Sequence, residues 1–159
     1  MIAALVLLFT QTDSIAQYAS YNGKKPIVVE EDAIRNITVY GNVDLVLREN
    51  SRPGTIVKVE EKNTTRLKAS VNNNDLYVAS EGSERVVVYV WTDDLQSLTL
   101  KDNSYAVSIG ILGFTNLHVN IHDNARVALR AADKIRFNAA DNRKLISNEK
   151  YFSVMSTDK

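Results

Sequence analysis

From Ile34 onward, apolar and polar residues alternate with a period of two, the mark of strands that bury one face. Ile37 and Val39 share a face. Val43, Leu45 and Leu47 share one while Asp44 and Arg48 point away. Val57 and Val59 alternate with Lys58 and Glu60, and Leu67, Ala69 and Val71 alternate with Lys68 and Ser70. Leu76 and Val78 precede Arg85 to Trp91 (RVVVYVW), a run apolar on both faces and therefore predicted to be central. Gly41-Asn42, Pro53-Gly54, Asn72-Asn73-Asn74-Asp75 and Glu81-Gly82-Ser83 separate these runs with residues that accept positive φ or bond their own backbone. Turn signals every ~8–12 residues predict an all-β fold. No stretch sustains a helical period; Ala131 to Lys134 offers a single turn before Ile135 and Phe137 restore the strand pattern.

The last third repeats itself. Leu98-Thr99-Leu100-Lys101-Asp102-Asn103 is echoed by Val119-Asn120-Ile121-His122-Asp123-Asn124 and by Phe137-Asn138-Ala139-Ala140-Asp141-Asn142, with a fainter copy at Val154-Met155-Ser156-Thr157-Asp158. The Asp positions step by 21, 18 and 17 residues. Units this short cannot bury an apolar face alone, so copies must stack. The expected architecture is all-β: antiparallel hairpins in the first half leading into a short right-handed parallel β-solenoid (β-helix-like). Leu98, Val119, Phe137 and Val154 form its inward column. The fourth copy, Tyr151 to Met155, shows no capping element after it, which predicts a C-terminal edge that pairs with a second copy or is covered by a partner.

The first residues read differently. Ile2 to Phe9 (IAALVLLF) is an unbroken apolar run, too short for the ~20 residues a bilayer span needs. Ser14-Ile15-Ala16 then suits signal-peptidase cleavage between Ala16 and Gln17. Residues 17–33 are expected to be a flexible lead-in, and 34–159 a single domain. The expected location is the periplasm, outer-membrane surface or exterior.

Composition narrows the chemistry. The 159 residues are 45% apolar and 24% charged, ordinary for a folded domain. Lys plus Arg and Asp plus Glu are equal at 19, which gives no excess that argues for nucleic acid or an anionic membrane. The absence of cysteine removes disulfides, thiolate metal sites and cysteine nucleophiles. No nucleophile elbow, phosphate-binding glycine loop or zinc-protease helix motif is present, so no enzyme is expected. No cofactor is expected either.

Two sets of residues are candidates for a site. The corner ladder Asp102, Asn103, Asp123, Asn124, Asp141 and Asn142 offers hard oxygen ligands of the kind calcium takes. The preferred reading is structural, because Asp and Asn tolerate left-handed conformations and cap their own turns. Lys101, Arg126 and Arg143 stand near enough in sequence to neutralise the carboxylates, and no metal is assigned. Tyr77, Trp91 and Tyr105 are the candidate binding residues, as an aromatic platform for a sugar or partner, with Tyr89 beside them. His118 and His122 share a strand face about 13 Å apart, too far for both to hold one ion.

Three segments together resemble the head GIN domain family of auto-transporter adhesin-like proteins exported by Bacteroidetes and related bacteria. Ile37 to Leu47 (ITVYGNVDLVL) looks like that family's first hairpin. Asn74 to Val78 paired with Val87 to Thr92, and Leu95 to Leu100 leading into repeated coils, complete the likeness over residues 34 to 158. Family members tend to carry Ser-Gly pairs at the coil corners where this chain has Asp-Asn. The resemblance implies the fold; an exported, cysteine-free, repeat-built chain without a catalytic constellation is expected to be a non-catalytic surface or periplasmic module that binds a glycan, matrix component or envelope protein. The rival expectation is an envelope structural or stress-associated domain that acts through homotypic contacts.

Overall fold

The computed structural model describes the backbone of residues 17–20, 28–31, 33–59, 67–133, 135–139, 143–148 and 151–156, and the side chains of 33–59, 67–133 and 135–139. Among them the chain forms β1 (Gln17–Ser20), β2 (Val28–Glu31), β3 (Asn36–Gly41), β4 (Val43–Glu49), β5 (Thr55–Val59), β6 (Leu67–Asn72), β7 (Asp75–Ser80) and β8 (Val86–Thr92). There follow β9 (Ser97–Leu100), β10 (Tyr105–Ser108), β11 (His118–Ile121), β12 (Arg126–Leu129), β13 (Arg136–Ala139), β14 (Arg143–Asn148) and β15 (Tyr151–Ser156). The described residues contain no helix.

The strands form two mixed sheets. The first runs β1-β6-β7-β3-β9-β11-β13 and the second β14-β15-β12-β10-β4-β8-β5-β2, and neither closes on itself. Parallel pairing runs through β7-β3-β9-β11 to the edge strand β13 in the first sheet and occupies the centre, β8-β4-β10-β12, of the second. Antiparallel pairing is confined to the margins.

This arrangement corrects the expected hairpins. Ile37 to Leu47 is not a hairpin: β3 lies in the first sheet and β4 in the second, joined by a corner at Gly41-Asn42. Asn74 to Val78 likewise does not pair with Val87 to Thr92, because β7 pairs with β3 and β6 while β8 pairs with β4 and β5. The physical reason is burial. Ile37, Val39, Val43, Leu45 and Leu47 are all sealed in one core, which strands on opposite sides of that core achieve together. The first half does hold antiparallel pairs, β1–β6, the β6–β7 hairpin, β5–β8 and β2–β5, while β3 and β4 have parallel neighbours on both sides.

Inward residues at one register level stack into columns. Leu76, Ile37, Leu98, Val119 and Phe137 are level across the first sheet, as are Val88, Leu45, Ala106 and Val127 across the second. All are buried except Phe137, which is partly buried against the core. Each large apolar side chain sealed here contributes roughly 1.5–3 kcal/mol. Val154 does not extend the first column. It sits opposite Val127 in the second sheet, because β15 returns antiparallel along β12 and pairs in turn with β14. The outer edge of β12 is thus covered from within the chain, contrary to an open fourth coil. The segment 17–33, expected to be a flexible lead-in, contains β1 and β2, paired with β6 and β5. Residues 1–16, with the expected leader and Ala16, lie outside the described residues; Gln17 opens β1.

A small polar knot closes one end of the core. Ile34 N–H donates to Thr55 Oγ1 (3.1 Å), the Thr55 and Thr92 hydroxyls share a bond (3.0 Å), and Thr92 Oγ1 donates to Ile34 O (3.3 Å). All three residues are buried, so mutual bonding satisfies groups that water cannot reach.

Candidate functional site

The repeated corners are where the chain crosses between sheets. Asp102 and Asp123 both have positive φ, 58° and 54°, a conformation that Asp tolerates better than most residues. Gly41 holds the equivalent position before β4, with φ 79°. Asp102 Oδ2 accepts a hydrogen bond from Gly41 N–H (2.9 Å), and Asp123 Oδ2 accepts one from Asp102 N–H (3.2 Å). Each carboxylate therefore caps the backbone of the neighbouring corner. Asn124 Nδ2 donates to Asn103 Oδ1 (3.5 Å) alongside, and Asn42 Nδ2 donates to Gly82 O (3.0 Å) and Ser83 O (3.3 Å). Asp141 and Asn142 lie outside the described residues.

The basic residues expected to neutralise this ladder go elsewhere. Lys101 Nζ stands over the Tyr40 ring at 5.1 Å, and Arg126 over the Tyr105 ring at 5.4 Å. Arg143 lies in β14, where only the backbone is described. Peptide N–H groups, placed by parallel stacking, take the role assigned to these cations. Among the described residues no three His, Asp or Glu side chains converge on one point where an ion would sit.

The three candidate aromatics point outward, as their alternation with buried neighbours requires, but they do not share a face. Tyr77 lies on the first sheet and is 41% exposed. Trp91 and Tyr105 lie on the second, where Trp91 stacks on Tyr89 with ring centroids 5.8 Å apart. A single platform of all three is excluded by topology: β7 and β8, although consecutive, belong to different sheets.

The outward face of the first sheet is a polar lattice. Tyr77, Thr38, Thr99, Asn120 and Asn138 are level across five adjacent strands, and Asp75, Asn36, Ser97, His118 and Arg136 form the next row. Asn36 Nδ2 donates to Asp75 Oδ1 (2.6 Å), and Asn120 Nδ2 to Thr99 Oγ1 (3.5 Å). Adjacent members of a row are about 4.8 Å apart, the interstrand spacing. The sequence repeat carries this signal in its outward positions, Thr99, Asn120 and Asn138, each three residues before its Asp corner.

Comparison with known proteins agrees with the fold. A structure described as "a putative adhesin from Parabacteroides merdae ATCC 43184" superimposes with a TM-score of 0.57 at 16% identity, covering 76% of this chain and 55% of its own. "A putative adhesin (BF0245) from Bacteroides fragilis NCTC 9343" gives 0.56 at 13% identity, covering 74% of this chain and 59% of its own. The chain thus spans little more than half the length of these structures. No curated protein matches it. The family model described as "Putative auto-transporter adhesin, head GIN domain" matches residues 34–148, and on that match the chain belongs to the head GIN domain family.

Proposed function

We propose that this chain is a non-catalytic, exported, adhesin-like module of the bacterial envelope or surface, and that it recognises a glycan or a protein partner. The observation that carries the reading is the outward row Tyr77, Thr38, Thr99, Asn120, Asn138. It presents hydroxyl and amide groups at a fixed repeat beside one exposed aromatic ring, the mixture with which a rigid surface meets an extended sugar chain. Family membership and the adhesin-like structural neighbours support it. In this reading the parallel centre is a short right-handed solenoid whose corners are the Asp-Asn ladder, and the leader at residues 1–16 directs export. A glycan array and a pull-down against envelope proteins with the intact chain test the proposal. A saturable ligand that Tyr77→Ala weakens is the expected result; no ligand across broad panels counts against it.

A second reading, homotypic contact, is favoured by one feature. Among the described residues β13 is the edge strand of the first sheet, and in the second β12 is continued by β15 to the edge strand β14. An edge strand of this kind pairs readily with another chain. Light scattering over a wide concentration range checks it, and a strict monomer at high concentration removes it.

A further inference from the structure

The outward face of the second sheet has a different character from the polar lattice of the first. Its outward positions on β5, β8, β4, β10 and β12 place Ile56, Trp91 and Arg48 at one level, and Lys58, Tyr89, Val46, Val107 and Ala128 at the next. Beyond them Val87, Asp44, Tyr105 and Arg126 form a third row. The centre is apolar or aromatic, and four basic residues (Arg48, Lys58, Arg126 and Arg130) stand among and around it. Two acids share these levels: Asp44 accepts a hydrogen bond from Arg85 Nε (2.9 Å), and Glu30 on β2 is level with Ile56 by register.

The first of these rows continues into a loop with two exposed aliphatic side chains. Ile109 and Ile111 are 48% and 42% exposed. Ile109 N–H donates to Leu47 O (2.8 Å), Leu112 N–H to Arg130 O (2.8 Å), and Arg130 N–H to Ser108 Oγ (2.8 Å). These bonds bring both isoleucines beside Arg48 and Arg130, whose side chains are exposed. The exposure is imposed by the fold. Leu112 and Phe114 are buried on the inner side, Gly110 turns the loop at φ 78°, and Gly113 N–H is held by Glu49 Oε2 (3.0 Å). Two exposed aliphatic side chains on a loop whose backbone neighbours are the strands carrying Arg48 and Arg130, on a face that also carries tryptophan and tyrosine, match the layering of an anionic bilayer surface. Apolar side chains enter the acyl boundary there, aromatic rings sit at headgroup depth and cations meet phosphate.

We infer that the second sheet's outward face, led by Ile109 and Ile111 and flanked by Arg48, Lys58, Arg126 and Arg130, docks on an anionic lipid surface. This leaves the polar lattice of the first sheet directed away from the membrane, and it does not depend on the glycan reading. The test is flotation of the full chain with vesicles of phosphatidylcholine and phosphatidylglycerol in equal parts, beside vesicles of phosphatidylcholine alone. The chain should float with the mixed vesicles, not with the neutral ones, and should be released by high salt. Ile109→Ser with Ile111→Ser, and separately Arg48→Gln with Arg130→Gln, should each lower the partition coefficient on the order of tenfold or more. All these side chains are exposed, and the second pair decides the matter where the first disturbs the loop. Equal binding to neutral vesicles, or no binding to either, overturns the proposal. Variants that float like the parent overturn it too, because attachment then belongs to another part of the chain. So do variants that leave flotation unchanged and alter only the particle size in solution, which assigns the face to a second copy.

Discussion

Asp123 accepts, through Oδ2, a hydrogen bond from the backbone N–H of Asp102 at 3.2 Å, and Asp102 accepts one from Gly41 N–H at 2.9 Å. The carboxylate at each corner thereby caps the corner beside it. The ladder that sequence alone presents as a candidate ion site is a run of backbone caps that keeps the strand-to-strand crossings in register.

Asp102→Ala should destabilise the fold by about 1–2 kcal/mol, through loss of the cap and the cost of φ 58° for a residue with no polar side chain. Asp102→Asn keeps an acceptor oxygen and the tolerance of positive φ, and should cost less than half as much. Urea unfolding of the two variants checks this. Equal losses would show that the negative charge, rather than the acceptor, matters at the corner.

Two glycines share one backbone conformation and differ in surroundings. Gly41 has φ 79°, and a Cβ there would lie 2.1 Å from Ser80 O; Gly110 has φ 78° with nothing within 4 Å. Gly110→Ala should cost about 1–2 kcal/mol, the conformational term alone. Gly41→Ala should cost clearly more, because the opposing atom is backbone in a close-packed corner. Thermal melts of both variants give the comparison, and similar losses would mean that the Gly41 corner relaxes.

Ser104 is fully buried and its Oγ has no hydrogen-bond partner. By register it stacks between Val43 and Ala125, where the equivalent corners carry an apolar residue. Ser104→Ala removes an unsatisfied hydroxyl and leaves its backbone bonds to Lys101 and Arg126 intact. It should stabilise the protein by about 1 kcal/mol. A lower urea midpoint in the variant would show that the hydroxyl is satisfied in solution.

Strand positions and facing were legible in the chain because alternation is local: Ile37 and Val39 inward, Thr38 and Tyr40 outward, needs no knowledge of partners. Positive φ at Asp102 and Asp123 was legible for the same reason, since turn preference is a property of the residue. Pairing was not. Gly41-Asn42 serves equally at a hairpin and at a corner between sheets, and the choice is made by the shared core, through residues distant in sequence. The same indeterminacy put Tyr77 and Trp91 on one imagined platform and Val154 in the wrong column. Ile109 and Ile111 are not legible as exposed because, in sequence, they merge with Leu112 and Phe114 into one apolar run. Only the turn at Gly110 and the burial of the second pair reveal the first as exposed.

Recognition through the first sheet's polar row is the central claim, and a glycan array read with three proteins tests it most directly: the parent chain, Tyr77→Ala and Trp91→Ala. The parent should bind a restricted set of glycans, Tyr77→Ala should lose that signal by about tenfold or more, and Trp91→Ala, altered on the opposite sheet, should keep it. Loss of binding in Trp91→Ala with Tyr77→Ala unaffected would contradict the account.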